Sequence, residues 1–410
     1  MLLMALPLAL AGGSPAAPLM EVTLTTNVAP AGYVEVTGVE AGEFNPRIWR
    51  AGTLNLVPDQ RSPLLAPRSG KFRNIYAPSA VETPGGYRLF YGAWDGIPSG
   101  NDHIYSATTD SGFQSFLDRH IVISPGSYIH FCNVNALRFD DGSFALFGTL
   151  YPVRELNKPA FFTSDTTGTN WNGHRGEPCR VEPADVVQID GYDYANADIN
   201  GMNVMLREGG VYRLYFGDFK NPGGTFRATG RDGRHYTFDA KAVTGPSFVN
   251  DVKRFRLGAA SYYVMGLHEN GKHLWQTVST NGAAFPTPQI LLTNLGAADA
   301  YIVALGWVVR GSQESPGRRL TGVLYGAGPV PALNENSIYA RWLQKRVVFA
   351  SDDGARSAGT QALGPDRQLL VLPDARDMTG RFEVYAEDGV TLLGTSGPRT
   401  VRGGQAYRLQ

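Results

Sequence analysis

The chain has 410 residues, with 37 basic and 37 acidic side chains, 49 Gly and 26 Pro. Balanced charge leaves no electrostatic footprint for nucleic acid or an anionic membrane surface. Frequent Gly and Pro among abundant aromatics suit short strands and turns better than long helices.

The first residues, MLLMALPLALAGGSPAAP, are an apolar run followed by small residues, with a signal-peptidase-like Ala9-Leu10-Ala11. Residues 1–19 read as an export signal, which would make the protein secreted or periplasmic. No Lys or Arg precedes Arg47, so a start codon placed too early and a core strand are the other readings. No other apolar run approaches the roughly 18 residues of a membrane span. Cys132 and Cys179 are too few for a disulfide framework; one bridge and two buried thiols are both open.

Downstream, one hairpin recurs. Its second strand reads YRLFYG ending at Gly92, FALFG at Gly148, VYRLYFG at Gly217, SYYVMG at Gly266 and TGVLYG at Gly326. Each copy follows an apolar strand and a turn, and most precede a third strand that closes on a polar turn. Units of four short antiparallel strands cannot bury both faces alone, so they are expected to pack around an axis as a propeller. The expected fold is all-β, a five-bladed β-propeller over residues 20–354 with a β-rich extension over 355–410. The alternating stretch MEVTLTTNVAPAGYVEVTGVE is expected to add a strand to the last blade. Asp110, Asp165, Asp232 and Asn281 fall in the outer turns and are expected only to fix them.

In such a ring the start of each first strand and the end of each second strand meet at one mouth, the default ligand site. Counting back from the repeat glycines places Ser79, Asn135, Asn203 and Lys253 at one spot, with Ala77, Asn133, Gly201 and Asp251 two residues earlier on the same strand face. Further back lie Asn74, His130, Asp198 and Phe248. The ends of the second strands add Trp94, Asp95, Tyr151, Asp218 and His268, and the third strand of the first blade adds Asp102 and His103. Trp94 and Tyr151 could stack on a sugar ring while Asn, Asp, His and Lys read its hydroxyls. The other reading is that these polar groups line a water-filled channel or bond neighbouring blades. Asp and Asn oxygens would also suit a hard cation such as calcium in the channel; no other cofactor is implied.

Tyr76-Ala77-Pro78-Ser79 followed by GGYRLFYGAWDG resembles the Trp-Ala-Pro-Asp segment and Gly-Tyr-Tyr-Leu-Tyr-Tyr strand of the five-bladed propeller glycoside hydrolases: the family 43 arabinanases, β-xylosidases and arabinofuranosidases, and their fructosidase relatives. The turns SDTTGTNW and GRDGRHYTF are similar as well. The resemblance covers roughly residues 45–350 and implies glycoside hydrolysis on a poly- or oligosaccharide by mouth carboxylates, an inverting pair lying about 6.5–9.5 Å apart. Two family carboxylates are missing, because Ser79 stands where Asp is expected and Gly201-Met202-Asn203 where Glu is expected. Asp198, Asp251, Asp95 and Asp102 are the remaining candidate catalytic acids, Asp198 and Asp251 first. A non-catalytic carbohydrate-binding propeller is the alternative, and a propeller used for protein contact is the third reading.

Overall fold

The computed structural model describes residues 17–68, 74–95, 102–151, 156–173, 177–199, 204–245, 248–313, 315, 317–333, 335–357, 359–373 and 376–410. The expected leader, residues 1–16 of it, and Asn203 lie outside them. The chain is nearly all β, with one short helix, Pro46–Ala51, and a single 3-10 turn, Pro183–Asp185, among the described residues. Among them, no helix is long and apolar enough to cross a membrane.

Five sheets follow one another from residue 75 to residue 343. Their first strands are Ile75–Thr83, His130–Arg138, Val204–Glu208, Phe248–Leu257 and Tyr301–Arg310. Each touches the next, and the fifth touches the first. Hairpin chemistry follows the sequence: Glu208 pairs with Val211 across Gly209-Gly210, both with positive φ, the geometry of a type I′ turn that glycine adopts without strain. The outer-turn residues act as expected. Asp110 accepts from Gly112 N, Asp165 from Thr167 N, Asp232 from Arg234 N and Asn281 from Ala283 N.

Four of the first strands carry an extra residue where they face the second strand's repeat glycine. The register shifts between Tyr76 and Ser79, between Cys132 and Asn135, at Asn250 and at Val303. Such bulges bend a strand and re-aim side chains. Ala77 and Asn133 adopt left-handed backbone there, with φ of 49° and 55°; Asn tolerates that conformation better than Ala does.

Two features depart from the expected plan. The second sheet has three strands, and the segment after it serves its neighbours: Cys179–Arg180 pairs with the first sheet and Gln188–Asp190 with the third. The N-terminal strands do not join the last blade. Leu19–Met20 pairs with Leu392–Ser396, Val22–Leu24 with Ala406–Leu409, and Tyr33–Thr37 with Arg367–Val371. The outer strand of the fifth sheet is instead Leu56–Pro58. Residues 19–37 and the C-terminal strands therefore build two sheets of their own, packed around Val34, Val36, Phe349, Leu370, Phe382 and Tyr407. Alternation defines a half-buried strand but does not name its partner, which is why local pattern assigned this segment wrongly.

Cys132 and Cys179 are both buried and free.

Candidate functional site

Ladder pairings put Ile75 opposite Ala93, His130 opposite Tyr151, Phe248 opposite His268 and Tyr301 opposite Gly328. The beginnings of these first strands and the ends of the second strands therefore share one end of each sheet, the mouth. The connecting segments 69–73, 96–101, 152–155 and 200–203 lie outside the described residues.

At this end Tyr76, Ala77, Cys132, Val303 and Ala304 form a small apolar cluster, and the half-buried rings of Trp94, Tyr151 and Tyr301 pack against it. Three sheets contribute to it. Tyr301 was not anticipated, because the long turn GSQESPG of the fifth repeat defeats counting back from Gly326. Its signal was available all the same, as an aromatic opening a first strand.

Asp102 lies beside this cluster and is 5% exposed. The Tyr76 hydroxyl donates to its Oδ2 at 2.9 Å, while Oδ1 is buried without a hydrogen-bond partner among the described residues. Burial pushes its carboxyl up to about 8, against the opposing hydrogen bond from Tyr76. Asp102 is thus a neutral acid near pH 7. Since Oδ2 already accepts from Tyr76, the proton belongs on Oδ1.

The Asp102 backbone N–H donates to His130 Nδ1 at 3.0 Å. An accepting Nδ1 means a neutral imidazole with its proton on Nε2, so the 3.5 Å separation between His130 Nδ1 and Asp102 Oδ2 is not an ion pair. Burial lowers the pKa of both His130 and His103, the latter further through the neighbouring His130. The His103 Nδ1 is buried and unpartnered. His130 also meets Tyr151 edge-on at 5.4 Å. Burial, followed by the Asp102 charge, raises the Tyr76 phenol and Cys132 thiol well above their ordinary values.

Of the other predicted acids, Asp95 and Asp218 are held in structural roles. Asp95 is clamped by Arg68 and Arg119, whose Nε and Nη2 reach its Oδ2 at 2.9 and 2.6 Å, and it lines a 730 Å³ groove with the outer strands of the first sheet. It is therefore a neutralised anchor, not a mouth acid. Asp218 accepts from Tyr192 Oη, Asp198 N and Lys220 N, tying a loop together. Asp198 is half-buried, and its Oδ1 accepts from Asn157 N at 3.0 Å and Asn157 Nδ2 at 2.5 Å.

Asp251, 1% exposed, lies in the middle of the five sheets. Its Oδ1 accepts from Asn135 Nδ2 at 3.1 Å and Lys253 Nζ at 2.9 Å, and its Oδ2 accepts from Trp307 N at 2.9 Å. Asn135 and Lys253 thus converge, as expected, but on a buried carboxylate that they satisfy. Ser79 turns aside to accept from Ala136 N at 2.9 Å, stitching the first sheet to the second. Asn74 is buried and accepts from Asn336 N. Asn133 is buried at its bulge. His268 pairs with Asn250 at 2.7 Å, and burial lowers its pKa to about 4. Asn74, Ser79 and Asn135 thus bond neighbouring sheets, while the His268–Asn250 pair lies within the fourth. Among the described residues no group of three or more His, Cys, Asp or Glu is arranged to hold a metal ion, and the positive charge beside Asp251 is the Lys253 ammonium.

No family model matches the sequence, and no curated protein matches it. Among solved structures the chain is similar to a glycosyl hydrolase from Bacteroides ovatus, with a TM-score of 0.50 and 12% identity over 74% of this chain and 96% of that one. It is equally similar, at TM-score 0.50 and 12% identity over 73% of this chain and 96% of the other, to a structure from the GH130 family of mannoside phosphorylases, which contains glycoside hydrolases targeting β-1,2 mannosidic linkages in Candida mannan. The chain therefore has the fold of the propeller glycoside hydrolases.

Proposed function

We propose that the five sheets are the blades of a closed propeller and that its mouth acts on a glycoside, with Asp102 as the proton donor. The supporting observation is the placement of Asp102: a buried carboxyl with one oxygen bonded to Tyr76 and the other without a partner among the described residues, beside a wall of Tyr76, Trp94, Tyr151 and Tyr301, where burial raises its pKa to about 8 and favours the protonated acid. A general acid needs its proton at working pH and a direction in which to give it. Aromatic faces supply apolar area for a sugar ring. Asp198 is the carboxylate assigned to the base, since Asn157 orients one of its oxygens and the other has no hydrogen bond among the described residues. Export, read from residues 1–19, suits a polysaccharide outside the cell.

The second reading, a carbohydrate-binding propeller without catalysis, is favoured by the engagement of Asp95 and Asp251. Incubation with a panel of plant and fungal oligosaccharides, with released sugar quantified by chromatography, separates the two. Cleavage abolished by Asp102→Asn and by Asp198→Asn with binding retained supports the enzyme. Binding without release by the wild type supports the second reading. Failure of every glycan to bind defeats both.

A further inference from the structure

At the end of the sheets opposite the mouth, two cavities adjoin. One, of 370 Å³, reaches Lys253 on the axis; the other, of 570 Å³, extends sideways to Arg207 and Glu208, and both are walled by Arg138, Phe139 and Gln313. Among the described residues, their walls carry five cationic against three anionic side chains. The anions are largely engaged: Glu208 takes Arg254 of the same wall, Arg213 and the Tyr263 hydroxyl, and Glu82 accepts from Gly311 N at 2.6 Å. Asp140 is exposed.

Arg254 and Arg318 have partners, whereas Lys253, Arg138 and Arg207 are less well matched. Lys253 is 5% exposed and its ammonium makes one described bond, to Asp251. An ammonium has three donors, and burying them unfilled is costly. The Arg207 guanidinium lies over the rings of Phe139 at 4.7 Å and Tyr212 at 5.5 Å, which fixes its plane, and neither Arg207 nor Arg138 has an ion pair among the described residues. A planar, pre-oriented guanidinium suits an oxyanion.

We propose that these adjoining cavities bind a small oxyanion, a phosphate, sulfate or carboxylate group, between Lys253 at the axis and Arg138 and Arg207 at the rim. The site is separate from the mouth and does not depend on the reading given for it.

The test is calorimetric titration of the full-length protein with inorganic phosphate at constant ionic strength, repeated with glucuronate, for the wild type, Arg138→Gln and Arg207→Gln. Both arginines are exposed, so the variants should keep the fold, which circular dichroism checks. Saturable binding weakened at least about fivefold in each variant is expected, as charge-assisted hydrogen bonds are lost. Tighter binding of phosphate than of glucuronate identifies a phosphate group as the ligand, and the reverse identifies a sugar carboxylate; either supports the site. Absence of saturable binding for both anions, or equal affinity in wild type and variants, overturns it.

Discussion

Asn135 and Asp251 stand 116 positions apart in the chain, yet the amide of one donates to the carboxylate of the other at 3.1 Å, joining the second sheet to the fourth across their shared centre. With Lys253 completing the set, the middle of the molecule holds a buried charge pair. Removing the carboxylate leaves an ammonium buried without its counter-charge, a change that costs about 3–5 kcal/mol. Asp251→Ala should lower unfolding free energy by that amount in urea titrations. A value within experimental error of wild type would show that Asp251 does not hold the centre together.

Asp102 makes stability depend on pH in an unusual direction. An unfolded Asp titrates near 3.9, whereas burial holds the folded group at about 8. Between these values the folded chain binds the proton and the unfolded chain does not, so the contribution is complete below about pH 4 and disappears as pH rises through about 8. Melting temperature measured from pH 4 to 9 should therefore fall more steeply for wild type than for Asp102→Asn, which has no proton to lose. Parallel curves would refute the assignment.

The aromatic wall should matter to sugar affinity and little to folding. Trp94 and Tyr151 are half-buried at the edge of the cluster, and losing one ring face removes about 1–1.5 kcal/mol of contact, roughly tenfold in affinity. Trp94→Ala and Tyr151→Ala are each expected to weaken oligosaccharide binding by this factor in calorimetry. Unchanged affinity in both would move the sugar site elsewhere.

Asp59 fastens the fifth sheet to the terminal sheets. It accepts from Arg61 Nη2 at 2.6 Å, Trp342 Nε1 at 2.7 Å and Gly364 N at 3.0 Å. Asp59→Ala strands the buried indole and amide donors, each at about 1–3 kcal/mol. Scanning calorimetry should show a lower transition, with the terminal sheets melting ahead of the rest. A single unshifted transition would mean that other contacts carry the junction.

Much of this was legible in the residues. Alternation and Gly-Gly or Asp-Gly turns identified the hairpins, and the spacing of Gly92, Gly148, Gly217, Gly266 and Gly326 identified the repetition. Face and register were less accessible. A bulge beside four of the repeat glycines adds a residue to strands whose side-chain period is two, so positions counted as equivalent part company: Ala77 and Asn133 are left-handed, whereas Asp251 is not. Of the predicted acids, Asp102 could be distinguished from Asp95 only by its neighbours. Two arginines neutralise Asp95, whereas Asp102 has a phenol and an uncharged imidazole.

The pairing of Val22–Leu24 with Ala406–Leu409 sets the order in which the molecule can be finished. Val22–Leu24 is made long before Ala406–Leu409, so its edge waits open until that strand arrives, and everything between them is by then already made. Their joining is a clasp fastened late, and unpaired strand edges are what neighbouring chains seize upon. A nascent chain halted before Ala406 would thus carry an unfastened clasp, however well its five sheets had formed.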